Sequence, residues 1–111
     1  VRRTVAVLLA LAVTTGAVTA ATPAAEPPPE RQQKLLYLLK QDCGSCHGLT
    51  LKGGLGPALL PEALKEKPDD MLVATILHGR PGTPMPPWAF EVSEAEAHWL
   101  IRRLREGDTN G

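Results

Sequence analysis

A chain of 111 residues with 12 basic and 12 acidic side chains is long enough for one small domain, and its net charge of zero with His neutral excludes the basic footprint of a nucleic-acid binder. It holds only one Phe and one Tyr, and a domain of this size buries little surface without an extra stabilising element. A large flat apolar cofactor would supply what the side chains lack.

Arg2 and Arg3 open the chain, and an apolar stretch from Val5 to Val18 follows, interrupted only by Thr14, Thr15 and Gly16. Val18-Thr19-Ala20 ends it with the small residues of a cleavage site. This three-part pattern is that of a secretory signal peptide over residues 1–20, cut after Ala20. A membrane anchor is the weaker reading, because a spanning helix needs about 20 apolar residues, so no stable span is expected after cleavage. Two arginines alone do not make a twin-arginine signal. Cleavage removes Arg2 and Arg3 and leaves a slightly acidic chain.

Residues 21–30 contain Pro27-Pro28-Pro29 and read as an extended, proline-rich linker, since proline lacks a donor and clashes with the preceding turn. The domain proper is then 31–106. Glu30 to Asp42 has helix-forming composition, with Leu36, Leu39 and Cys43 on one face at helical spacing. Gly48 to Leu60 contains Gly53, Gly54, Gly56 and Pro57 and must be loop. Pro61 to Lys67 suits a short helix with Pro61 at its first position. Pro68 to His78 is a stronger helix: Asp69 and Asp70 favour its start, Leu72, Ile76 and Leu77 form its stripe, and Gly79 ends it.

Gly79 to Pro87 holds four prolines and two glycines, which rules out helix and central strand. Ser93 with Glu96 makes a capping box for a last helix. Ala97, Leu100, Ile101 and Leu104 give that helix an apolar stripe, with Trp99 flanking it. Gly107 stops it, and residues 107–111 read as a disordered tail. No segment reads as a strand, so the fold class is all-α.

The chemistry concentrates in Cys43-Gly44-Ser45-Cys46-His47. Cysteines three apart on a helical turn project to the same side, so both thiols reach the two vinyl groups of one porphyrin. The next residue, His47, brings an imidazole to the iron. Cys-x-x-Cys-His is therefore read as a site for one haem c, bonded through Cys43 and Cys46. Three readings compete. A thioredoxin-like pair lacks its strand–helix surroundings. A zinc site needs about four ligands, and His78 and His98 fit no zinc spacing. A disulfide, ordinary in an exported protein, would close a very tight loop.

The second axial ligand has four candidates. Met71 reads as core filler within a helix. His98 lies on the polar flank of the last helix, and His78 sits at a helix end, where the dipole already favours a cation. Met85, held between Pro84 and Pro86-Pro87, is the preferred ligand, with His78 as the alternative. Two filled axial positions favour electron transfer over catalysis. A metal-bound His commonly donates its other nitrogen's proton to a carbonyl, and Pro57 is the candidate for that carbonyl, with plain turn chemistry as its other role.

These residues resemble class I c-type cytochromes over about Arg31 to Glu106. The resemblance rests on the cysteine motif, then Gly56-Pro57-Ala58-Leu59, Met85-Pro86 and Trp99-Leu100, in that order. Asp42 to Leu49, Lys52 to Leu59 and Gly79 to Trp88 are similar, more closely, to the NirC type: small monohaem cytochromes encoded with haem-cd1 nitrite reductase in denitrifying bacteria. The resemblance implies a class I cytochrome c fold of three to four helices around one haem, with the first and last helices crossing. It further implies His47 and Met85 as iron ligands and a periplasmic electron carrier, not an enzyme. Haem-cd1 nitrite reductase is the partner expected from it, or a maturation enzyme in the last steps of haem d1 assembly. Docking would be small and transient, with Lys52, Arg80 and Trp88 flanking the haem edge. Many class I cytochromes place a glycine in the first helix. Arg31 to Asp42 has none, so Tyr37 or the leucines are expected to pack differently against Trp99.

Overall fold

Helices make up the regular secondary structure of residues 12–18 and 26–110, which the computed structural model describes. The elements are α1 (Pro29–Leu38), a π-helical segment (Leu39–Cys43), α2 (Gly44–His47), α3 (Pro61–Leu64), α4 (Asp69–His78) and α5 (Glu94–Glu106). No strand occurs among the described residues, as the composition predicts. Nor is any described helix long and apolar enough to cross a membrane. The cleavage point expected after Ala20, and residues 21–25, lie outside the described residues.

The remainder of the expected linker is not a spacer. α1 begins at Pro29, where proline needs no donor and its fixed φ suits a first helical position. The Pro28 carbonyl accepts the amides of Arg31 (2.8 Å) and Gln32 (2.9 Å), and Pro27 is buried, its carbonyl accepting from Gln32 Nε2 at 2.8 Å. Three consecutive prolines exclude the helix interior but not its first turn.

α1 runs unbroken into the cysteine motif, as its composition predicts, but through a wider π turn that no residue spacing announced. Leu35, Leu36, Leu38 and Leu39 are all buried, and Cys43 packs half-buried against them. Tyr37 points outward and is 68% exposed, so the leucines rather than the tyrosine join Trp99 in the core.

α5 is the centre of that core. Ala97, Trp99, Leu100, Ile101 and Leu104 are all buried on it, and Trp99 is among the largest fully buried side chains rather than a flank. Truncating such an indole to alanine costs about 3–5 kcal/mol. The capping box forms as expected: Ser93 Oγ accepts from Glu96 N–H at 3.2 Å, and Glu96 Oε2 accepts from Ser93 N–H at 3.0 Å. Gly107 ends the helix in the left-handed region. The tail is tied for one residue further, because Asp108 N–H donates to the Arg103 carbonyl (3.0 Å) and its carboxylate pairs with Arg103 (2.8 Å).

Two arginines join elements across the fold. Arg31 of α1 grips Glu96 of α5 with two bonds, Nε to Oε1 at 2.6 Å and Nη2 to Oε2 at 2.9 Å. Arg105 donates to the Leu64 carbonyl at 2.9 Å, to the Lys67 carbonyl and to Asp69. It thereby satisfies carbonyls freed where the four-residue α3 ends. α4 buries Leu72 and Val73, with Ile76 and Leu77 partly buried. Met71 is not core filler: it lies off that face and is 47% exposed.

Candidate functional site

The polypeptide reverses directly after the cysteine motif. Gly48, with φ of +89°, breaks α2. The chain then doubles back so that Gly53 N–H donates to the His47 carbonyl and Gly56 N–H to the Cys46 carbonyl, both at 2.8 Å. These bonds occupy carbonyls that a helix end leaves free, and they lay residues 53–57 against α2. Leu51 anchors the turn from inside. It tolerates a positive φ of 59°, a cost of about 1–2 kcal/mol for a non-glycine residue, while its side chain is buried at 7% exposure.

The reversal brings Pro57 to His47. The Pro57 carbonyl lies 2.6 Å from His47 Nδ1. A carbonyl can only accept, so Nδ1 carries a proton, and a metal would be met by Nε2. Nε2 makes no hydrogen bond among the described residues. Gly56 forms the wall of the ring's seat: a Cβ there would stand 2.8 Å from Cε1 and 2.9 Å from Nδ1 of His47. That role was not read from the sequence, although a glycine directly before the accepting proline was the available signal.

Both cysteines are half-buried and unpaired, one helical turn apart on the continuous helix. Burial, and secondarily the charge of Asp42, push the Cys43 thiol up to about 11, so it stays protonated at neutral pH. Ser45 Oγ donates to the Asp42 carbonyl at 2.7 Å and holds the turn between the cysteines.

Met85 lies half-buried on the proline-rich loop after α4. Its carbonyl accepts from Arg80 N–H at 3.2 Å, and its own N–H lies 3.4 Å from Thr83 Oγ1. Thr83 bridges this loop, and nothing in its sequence context pointed to that role. Met71 and His78 are exposed on α4, and His98 is half-buried on α5. Among the described residues no three His, Cys, Asp or Glu side chains gather as a metal cluster. Arg80 and Lys52 are exposed. Trp88 packs on the core and stacks on Phe90 with centroids 5.7 Å apart. A groove of about 720 Å³ runs between α1 and this aromatic pair, lined by Tyr37, Leu38 and Asp42 among others; it takes in neither cysteine nor His47.

Two free thiols on one turn and an imidazole whose Nδ1 is already committed to a carbonyl fit the attachment of a haem c. The glycine leaves the imidazole the space it occupies, and the Pro57 carbonyl fixes its Nδ1 edge.

Comparison with known proteins agrees. A family model described as cytochrome c oxidase, cbb3-type, subunit III, matches residues 30–102. Cytochrome c55X of Pseudomonas aeruginosa is 57% identical over 100 residues, covering 90% of this chain and 84% of the relative. Cytochrome c55X of Paracoccus denitrificans is 43% identical over 79 residues, covering 71% and 77%. A solved structure of the c-type cytochrome NirC superposes with a TM-score of 0.74 at 61% identity, covering 77% of this chain and all of that one. The dihydro-heme d1 dehydrogenase of P. aeruginosa is 42% identical over 67 residues, 60% of this chain but 14% of the enzyme.

Proposed function

The chain belongs to the c-type cytochromes of the cytochrome c55X, or NirC, type, and on that premise we propose that it is a periplasmic single-electron carrier delivering electrons to haem-cd1 nitrite reductase in denitrification. One haem c is held by thioethers to Cys43 and Cys46, with His47 and Met85 as its iron ligands.

The observation that carries this reading is the 2.6 Å contact between His47 Nδ1 and the Pro57 carbonyl. It fixes the tautomer, raises the basicity of Nε2 and holds the ring plane, the role such partners play for metal-bound histidines. Bound haem supplies a ferric–ferrous couple. The chain's part is to keep the ligands unchanged between the two states. His47 is locked by Pro57 and Gly56, and Met85 is held by Arg80 and Thr83 between prolines. With Met85 and His47 as the pair that holds it, the haem would have its potential raised relative to one held by two histidines. With His47 and Met85 both holding the haem, no side of it would be left open to a substrate. The charged, apolar and small-residue order of residues 1–20 supports export.

Native maturation followed by mass spectrometry tests the cofactor: the mass exceeds that of the polypeptide by one haem, and a bare polypeptide would sink the reading. Mixing the reduced protein with oxidised haem-cd1 nitrite reductase tests the partner, and electron transfer no faster than to an unrelated haem protein would count against it.

The likeness to dihydro-heme d1 dehydrogenase favours a second reading, an electron-transfer accessory in haem d1 biogenesis. Deleting the gene separates the two. A reductase lacking haem d1 supports biogenesis, and an intact but electron-starved reductase supports donation.

A further inference from the structure

The Met85 loop is closed onto α4 by backbone hydrogen bonds. Arg80 N–H donates to the Met85 carbonyl at 3.2 Å, Trp88 N–H to the Ile76 carbonyl at 3.0 Å and Ala89 N–H to the Leu77 carbonyl at 3.2 Å. The returning limb, Met85 to Ala89, is thereby laid along the last turn of α4. Inside the loop Thr83 Oγ1 donates to the Arg80 carbonyl at 2.7 Å.

Gly79 stands where the two limbs meet. It is buried, with φ of 68° and ψ of −168°, a region that essentially only glycine occupies. A Cβ there would lie 2.6 Å from the Met85 oxygen, 2.7 Å from the Pro86 carbonyl carbon and 2.8 Å from the Pro87 nitrogen. All three are backbone atoms, which cannot swing aside as a side-chain tip can, and Pro84, Pro86 and Pro87 stiffen the limb they belong to. Gly82, in the same loop, differs: its φ is also positive, at 78°, but a Cβ there would meet nothing within 4 Å.

We propose that Gly79 is the positioning residue for Met85, and that its missing side chain is what allows the limb carrying the thioether to close onto α4. This rests on the reading of Met85 as the second iron ligand. A side chain at position 79 displaces the Met85 carbonyl and moves the sulfur with it. One at position 82 does not.

Haem-loaded Gly79→Ala, Gly82→Ala and Met85→Ala proteins provide the test. The thioethers to Cys43 and Cys46 keep haem attached when the upper ligand is lost. The readouts are the weak far-red band of sulfur–iron bonding in the oxidised protein, carbon monoxide binding in the reduced protein, and the reduction potential. G79A is expected to lose the band, bind carbon monoxide and fall in potential as M85A does, while G82A keeps the wild-type properties. If M85A loses the band and G79A keeps it, Gly79 serves only the turn and the inference fails while the ligand reading stands. If M85A keeps the band, both fail. Guanidinium midpoints of G79A, M85A and the double variant give a second measure. A smaller effect of G79A in the M85A background supports the coupling, and full additivity overturns it. Should G79A accumulate poorly, the far-red band is read on the fraction that carries haem: its loss supports the coupling, and its presence overturns it.

Discussion

Trp99 donates its indole N–H to the carboxylate of Glu26, 73 residues earlier in the chain, at 2.5 Å. Arg102 binds the other carboxylate oxygen at 3.0 Å. The Trp99 hydrogen bond, followed by that of Arg102, holds the Glu26 carboxyl below the usual carboxylate range. The segment ahead of α1 is thus a strap on α5. Replacing Glu26 by Ala leaves an almost fully buried indole donor without its partner and is expected to lower the thermal midpoint. Gln, whose amide oxygen still accepts, lowers it less. Melting curves followed by tryptophan fluorescence check this, and an E26A protein that melts like wild type would show that the strap adds nothing to stability. Processing beyond Glu26 would carry the same loss.

Arg31 and Glu96 tie the first helix to the last where no glycine brings them together. The Arg31 guanidinium, aided by the Ser93 amide, holds the Glu96 carboxyl at about 2. A carboxyl depressed on folding stabilises the protein above its unfolded pKa. That contribution is present above about pH 4.5 and is lost as pH falls through about 2. Denaturant midpoints measured from pH 6 down to pH 2 are expected to fall more steeply in wild type than in Glu96→Gln. At neutral pH the R31M/E96Q cycle is expected to give a coupling of about 1–2 kcal/mol. Parallel acid profiles would contradict the assignment.

Gly56→Ala puts a methyl group into the seat of the His47 ring at 2.8–2.9 Å. Its backbone φ is not positive, so the effect is steric rather than conformational. The cost is expected to be about 1–3 kcal/mol, typical of overpacking, with a shifted haem spectrum because the imidazole must turn. Denaturation and the optical spectrum of the haem-loaded variant measure both, and an unchanged spectrum would show that the ring has another way to adjust.

Met85→His exchanges a thioether for an imidazole. Two imidazoles hold ferric iron better than the His/Met pair, so the potential is expected to fall and the far-red sulfur band to vanish, while haem content stays the same. Potentiometry reads the change, and an unaltered potential would point to His78 as the ligand in the native protein.

The sequence already carried the parts of this protein that act locally. Helix caps, breakers and apolar stripes are near-neighbour effects, so the capping box at Ser93 and Glu96, the stop at Gly79 and the all-α class could be read residue by residue. The cysteine motif could be read because thiols and imidazole on one helical run need no distant partner. The π turn before Cys43 was not legible, since helix width depends on what the leucines pack against. Nor was the position of Met71, whose side of α4 is chosen by the core and not by its own chemistry.

Sequence alone determined which side chains are available for the proposed haem: two thiols, an imidazole and a thioether, in that order. The Pro57 carbonyl was also named from the sequence as the partner of His47, and the tertiary structure decided that it comes within reach. The Pro57 carbonyl reaches His47 only because the chain reverses at Gly48. The Met85 limb meets Gly79 only after α4 and its loop have folded onto each other. Contacts of that kind span only a loop, ten residues from His47 to Pro57, but they depend on how that loop folds back onto the helix before it, which no single residue's preference sets.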